Sequence, residues 1–450
     1  MRMFLKAMGF WVWGLIAITL SASFATLSYR LVSNYRWHDT AISSSEATRA
    51  NSAPVSATVV SSDETVPKAG VVSRGIAKEI RAAHGALQLG QWQGALKNLE
   101  AAERISPLTA FDLKTIDDFK AYAYLKLKNF KDAQSSYEAE LATGAVTVQE
   151  TVNVLRMLFR LSASSEQHAK AIEYGVQLAA RGGANAEDLG TLSQIYYLQK
   201  DCTSSVVWAD KAIAASHEAR QTPKANWSQF KLQCASNAGD ATAMAAALAD
   251  LIRLTHQSNY WNTLLRIERQ DERDDHNTLM LYRLMYDTAS MAAGSDYIEM
   301  AQLLGDAALP AEAQTVLEKA MNSGVILDQQ KERTTRLLNS FKTRVEADRQ
   351  SYARLDTEAA ENPAGELGVK LGEIYYGFGE YPNAVAELNR SLTKGHVQHL
   401  DEAYVYLGRA QVALNEIDGA RTAFANLGSV PNASPRVLKL WNLYAETLIQ

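Results

Sequence analysis

Two cysteines, Cys202 and Cys234, and eight histidines are the side chains of this sequence that could do chemistry beyond packing. Paired thiols close a disulfide in an oxidising compartment, and imidazoles at helical spacing hold zinc. The histidines form no ligand set by spacing. His217-Glu218 opens HEARQ, which lacks the second histidine one turn later that a zinc peptidase needs. His396 and His399, in GHVQH, read as solvated loop residues without acidic or cysteine partners at ligand spacing. No glycine-rich phosphate loop and no nucleophile elbow occurs. Trp227, Trp261 and Trp441 lie among apolar residues and read as packing. The sequence predicts no catalytic residue, no metal, no cofactor and no small-molecule substrate.

Whatever these residues do, helices must position them. The 450-residue chain has only 9 prolines and is rich in good helix formers, whereas strand-type alternation is nearly confined to VSATVV at 55–60. It is 47% apolar and 21% charged, and its length calls for several domains or one elongated array. A net charge of −5, with both signs mixed throughout, leaves no basic face to neutralise phosphates, so nucleic acid is excluded as a partner.

Residues 7–27, AMGFWVWGLIAITLSASFATL, carry no charge over 21 positions, enough for a helix to span a hydrocarbon core of about 30 Å. The segment reads as a retained anchor or as a cleaved signal, with Ser23-Phe24-Ala25 a tolerable cleavage site. Arg2 and Lys6 on one side nearly balance Arg30 and Arg36 on the other, so charge does not set the orientation. Residues 39–72 contain no aromatic residue and are rich in Ser, Thr, Ala and Val, the composition of a tether. Anchor, tether and folded body together predict a domain on the periplasmic side of a bacterial inner membrane, anchored or released.

The body repeats. Leu371-Gly372-x2-Tyr375-x8-Ala384-x3-Leu388 returns as Leu407-Gly408-x2-Gln411-x8-Ala420-x3-Phe424. Each unit holds two apolar-periodic segments joined by a short turn. The small second-segment residue recurs at Ala95, Ala133, Ala171, Ser205, Met244, Ala313, Ala384 and Ala420. The successive gaps are 38, 38, 34, 39, 69, 71 and 36 residues, so each of the two large gaps leaves room for one more degenerate pair. One such pair cannot bury its apolar face alone, so neighbours must stack.

This spacing resembles the tetratricopeptide repeat (TPR), a helix-turn-helix of 34 residues, over roughly residues 74–433. More narrowly, the chain is similar to exported bacterial proteins of that class. The resemblance implies an all-α, right-handed superhelical solenoid of antiparallel helix pairs with a concave face lined by the first helices. By register that groove would carry Tyr122, Arg156, Arg160, Gln194, Tyr197, Gln302, Glu373, Tyr376 and Arg409. Tyr and Arg are the types that most often anchor protein interfaces. Ile80, His84, Phe119 and Val369 occupy the places where some family members carry a Lys, Asn and Arg clamp for a carboxylate terminus, so that clamp is not reproduced.

In the same register Cys202 falls in the turn of one unit and Cys234 late in the first helix of the next. Outside the inner membrane the two thiols would oxidise; the alternative is two unrelated buried thiols. Residues 327–360 lack Gly and Pro and space apolar residues at near-heptad intervals, which predicts one long helix or two abutting ones forming an intramolecular seam. The organisation expected is an anchor or signal at 1–30, a linker at 31–73, repeats at 74–325, bridging helix at 326–362, two best-matching units at 363–433 and a capping helix at 434–450. Ser434 would cap that last helix. The function expected is a non-enzymatic scaffold or adaptor for a protein or peptide of the envelope, assisting an envelope, secretion or polysaccharide-export complex. The alternative is a structural spacer or oligomerisation module with no groove ligand.

Overall fold

The computed structural model describes residues 70–448 apart from Asp271 and Asn432. The hydrophobic segment expected at 1–30, and its linker up to residue 69, lie outside them. Among the described residues every regular element is a helix, and no helix is long and apolar enough to cross a membrane. The chain divides into two compact units at Gly183–Ala184.

The first unit is three helix pairs: α1 (Ala77–Gln88) with α2 (Trp92–Glu103), α3 (Ala110–Lys126) with α4 (Phe130–Ala142), and α5 (Val148–Ser164) with α6 (His168–Ala180). Two of its first helices start at the positions that sequence chemistry favours. Thr109 and Asp112 form a reciprocal capping box on α3, and Thr147 with Glu150 repeats it on α5. Ile80, Leu99 and Phe119 fill one core, and Tyr137, Leu158 and Leu161 the next.

The second unit continues the pattern with α7 (Ala186–Leu198) and α8 (Cys202–Glu218), α9 (Ala225–Ala238) and α10 (Ala241–Thr255), α11 (Ser258–Arg269) and α12 (Asp275–Asp287), and α13 (Gly294–Asp306) and α14 (Pro310–Ser323). A single helix α15 (Asp328–Glu361) follows, then α16 (Glu366–Gly377) with α17 (Tyr381–Lys394), α18 (Leu400–Ala413) with α19 (Ile417–Asn426), and α20 (Pro435–Thr447). The first large gap in the repeat spacing therefore holds the pair α11–α12. The second holds one unbroken helix rather than a degenerate pair. One edge of α15 is spent on its own chain: Phe341 lies under Gly305, Arg344 donates to the Gly305 carbonyl at 3.0 Å, and Tyr352 meets Tyr375 edge-on.

The repeat has a local cause. One residue at positive φ ends the first helix of each matching pair: Gly90, Lys128, Glu166, Lys200, Gly239, Ala308, Gly379 and Asn415. The residue that marks the repeat, small in seven of these units and Met244 in the other, stands five positions later each time, on the first turn of the second helix. In the two clearest units its tight position has a partner. A Cβ on Gly372 would lie 2.6 Å from Leu388 Cγ, and one on Gly408 would lie 2.5 Å from Phe424 Cε1. Helix approach at the Leu-Gly step therefore requires glycine, and the residue sixteen positions on fills the space.

The second unit does not leave its repeats as an open row. Helix α20 packs not only on α19, where Trp441 stacks on Phe424 at 5.2 Å, but also on α10 and α12. Arg253 on α10 pairs with Glu446 at 2.6 Å, and Trp261 on α11 meets Tyr444 edge-on. One continuous core runs from Leu248 to Ala445. Ser434 stands at the start of α20 but its side chain makes no capping bond, and Pro435 supplies the first-turn residue instead.

Candidate functional surface

The nine register positions divide by environment. In the first unit Tyr122 is half-buried, edge-on to Trp92 at 5.9 Å with the Lys126 ammonium 5.2 Å from its ring. Arg156 and Arg160, one turn apart on α5, are also half-buried, and Arg156 donates to the Gly183 carbonyl. In the second unit Gln194 is half-buried, Tyr197 stacks on Phe230 at 5.0 Å, and Gln302 is exposed.

The remaining three correct the sequence reading. Glu373 and Arg409 are buried, with 1% and 3% of their surface exposed, and Tyr376 is packed between Tyr381, Tyr406 and the Arg409 guanidinium. They do not line an open groove. Arg409 holds Asp287 of α12 at 2.8 Å and Glu312 of α14 at 2.7 Å. From the other side Arg283 of α12, fully buried, holds Glu402 of α18 at 2.8 Å and donates to the Tyr406 hydroxyl, which donates on to Glu312. At Arg409 the surface that repeat register assigns to a partner is filled by the molecule's own α12 and α14. The residue types were those of an interface, and the interface is intramolecular.

Electrostatics explain why such charge can be buried. Desolvation opposes the ionised form of Glu312, but the Arg409 and Arg283 guanidinia outweigh it and hold the carboxyl below its ordinary range. Burial likewise works against charge on Arg409, and Asp287, Tyr376 and Glu312 reverse the effect. Glu373 has no arginine of its own. Burial, with Glu402 adding repulsion, pushes it up to about 7 against the pull of Lys370 at 2.9 Å.

The first unit buries charge differently. Under the α3–α5 face lie Asp118 and Glu140, beside the Lys114–Glu150 ion pair at 2.6 Å. Burial raises both carboxyls. Asp118 repels Glu140 further, so Glu140 is the member pushed up to about 9 and holds a proton at neutral pH.

Cys202, first residue of α8, is joined to Cys234, buried in α9, with their Cα atoms 5.4 Å apart. The bond staples two neighbouring pairs, and a loop of that length stabilises by about 3–4 kcal/mol through chain entropy. The loop histidine His399, read above as having no partner, lies beside His276 of α12 and Asp401 of α18. Spacing within the loop could not reveal this, because His276 comes from a helix far upstream. Of the four clamp positions, Ile80, Phe119 and Val369 are buried in the cores, and the His84 ring stacks on Phe119 at 5.9 Å.

No protein-family model matches the chain, and no curated protein is significantly similar to it. Solved structures with some likeness are TPR proteins. A tetratricopeptide repeat protein from Parabacteroides merdae ATCC 43184 is 12% identical over 82% of this chain and 99% of that one, with a TM-score of 0.28. The C-terminal part of a TPR repeat-containing protein from Cytophaga hutchinsonii is 12% identical over 60% and 94%, with a TM-score of 0.31. The TPR2AB domain of yeast Sti1, in a complex with pHSP90, is 12% identical over 83% and 98%, with a TM-score of 0.24. The all-α, TPR-like arrangement rests on the chain's own helix pairs and their recurring turn.

Proposed function

We propose that the protein is a non-enzymatic scaffold that binds a protein or an extended peptide on the α3–α5 face of its first unit. The observation that carries this is the contrast in the register positions. Tyr122, Arg156 and Arg160 keep part of their surface exposed, whereas Glu373 and Arg409 are buried and Arg409 is held by α12 and α14. Tyrosine and arginine on rigid helices suit an extended peptide, because the surface need not reorder to bind it. The spacer reading is weaker. The apolar edge of α15 packs on α13 and α16 of its own chain and leaves less for a second copy.

The site of action in this proposal is outside a bacterial inner membrane, where the scaffold would assist assembly of an envelope, secretion or polysaccharide-export complex. The uncharged segment 7–27, the polar tether after it and the Cys202–Cys234 bond support that placement. The test is photocrosslinking in living cells with a photoreactive residue at Tyr122 and, as a control enclosed by Tyr381, Tyr406 and Arg409 of its own chain, at Tyr376. One dominant envelope-protein adduct at Tyr122 and none at Tyr376 is the result expected. A folded, exported chain with no adduct at Tyr122 would return the function to a spacer.

A further inference from the structure

The strongest unassigned cluster of chemistry-bearing side chains lies at the start of two helices that the fold-back brings together. His276 is the second residue of α12, His399 immediately precedes α18, and Asp401 is the second residue of α18. One ligand atom from each lies within 4.8 Å of the other two. We propose that His276, His399 and Asp401 form a site for a borderline divalent cation of the Zn2+ type, which clips the loop before α18 to α12.

The geometry is close to what such an ion needs. Zinc bonds to nitrogen and carboxylate oxygen of about 2.0–2.2 Å place neighbouring ligand atoms about 3–3.5 Å apart. His276 Nε2 and Asp401 Oδ2 already stand 2.8 Å apart, so an ion would enter where a proton now bridges them. The His399 ring lies over His276 with centroids 5.3 Å apart and needs to close by about 1 Å toward the other two. It has the freedom to do so, being exposed at the end of the short loop that begins at Gly395.

Behind the first ligand stands a second carboxylate. His276 Nδ1 faces Glu402 Oε2 at 4.0 Å, and Glu402 is fixed by Arg283. At that distance it makes no hydrogen bond to the ring, but a small turn of the imidazole on binding an ion would bring Glu402 to the place of the carboxylate that orients a metal-binding histidine. Two helix N-termini nearby disfavour a cation, and the acidic first-turn residues Asp275 and Asp401 offset them. The donor set selects among ions. Two imidazoles and one carboxylate suit zinc and its first-row neighbours, whereas calcium and magnesium require all-oxygen sites. Three protein ligands leave one tetrahedral position for water.

The test uses the full chain purified without a histidine tag and stripped with chelator. Calorimetric titration with Zn2+ should show one ion per chain and a rise in the melting temperature, with no response to Mg2+. His399→Ala, an exposed change that leaves the core untouched, and Asp401→Asn should each weaken zinc binding at least about tenfold and abolish the rise. Circular dichroism of the metal-free variants checks that they fold. No zinc uptake by the wild type, equal response to Mg2+, or equal zinc affinity in folded His399→Ala would each overturn the site.

Discussion

Glu140 in the first unit and Glu312 in the second are buried to the same degree, with 2% and 5% of their surface exposed, yet their protons behave in opposite ways. Glu140 lies near another carboxylate, Asp118, with Lys114 already committed to Glu150, and is pushed up. Glu312 has two arginines and is pushed down. Burial alone therefore does not decide the charge state of these two carboxyls; the charges within reach of each do. The same difference separates a face that keeps its solvent from one that has been closed. Buried Arg409 reaches from α18 to α12 and α14, and buried Arg283 from α12 to α18, and they hold the C-terminal repeats onto the middle ones.

The sharpest way to break that contrast is Arg409→Ala. It leaves Asp287 and Glu312 buried with one cation fewer, and removing one partner of a buried pair costs about 3–5 kcal/mol. Hydrogen exchange should quicken through α12, α14 and α18, while α3 to α5 keep their protection. Equal loosening of both units would show that the network does not act on the fold-back in particular. Arg160→Ala, in the half-exposed face of the first unit, is the matched control and should leave the protection of α12, α14 and α18 unchanged.

How much of this contrast was legible depends on the distance over which each feature is written. The helix pairs were legible because a tight turn, a small residue five positions later and a Leu-Gly step facing a filler are all local. Gly372 with Leu388 and Gly408 with Phe424 are written inside single units. The turn itself was only half legible: glycine or asparagine marks it at Gly90, Gly239, Gly379 and Asn415, but Lys128, Glu166, Lys200 and Ala308 adopt the same positive φ without a permissive residue type. The fold-back was not legible. Repeat register says which side of a helix faces the inner curve, and nothing in a period near 36 says that Arg283 will meet Glu402 or that His276 will meet His399. Tyr376 and Arg409 were read as groove positions for a partner, whereas in the structure Arg409 is held by Asp287 and Glu312 of earlier helices and Tyr376 packs on Tyr406 and Arg409.

A smaller effect follows from the protonated acid of the first unit. Glu140 has a folded pKa of about 9, raised first by burial and then by Asp118, against an ordinary 4.5. The folded state thus holds a proton that the unfolded state has lost, so the stabilisation it lends is complete below about pH 4.5 and is lost as pH rises toward 9. Asp117, Asp118, Lys114 and Glu150 face the same space, and Lys114 limits the rise. Exchange protection of α4 should therefore fall between pH 6 and pH 9. Glu140→Gln should flatten that fall, which is worth at most about 1.4 kcal/mol per pH unit. Glu312 runs the other way, because its lowered pKa gives stability that is lost on acidification. A fall in α4 protection that persists unchanged in Glu140→Gln would place the proton elsewhere.

The smallest effect expected is the most direct check on the register itself. Gln302 on α13 and Arg409 on α18 are both groove positions by repeat spacing, and pattern alone would rank them together. In the structure Gln302 is exposed while Arg409 is bonded on two sides. Gln302→Ala removes no buried partner and leaves no unsatisfied acceptor, and exposed changes of that kind fall within about 0.5 kcal/mol of wild type. Denaturant midpoints for the two alanine variants should then differ by several kcal/mol on conversion through a common slope, with Gln302→Ala indistinguishable from wild type. If Gln302→Ala costs as much as Arg409→Ala, register position rather than burial governs the energetics, and the closed face described for the second unit is not its resting state.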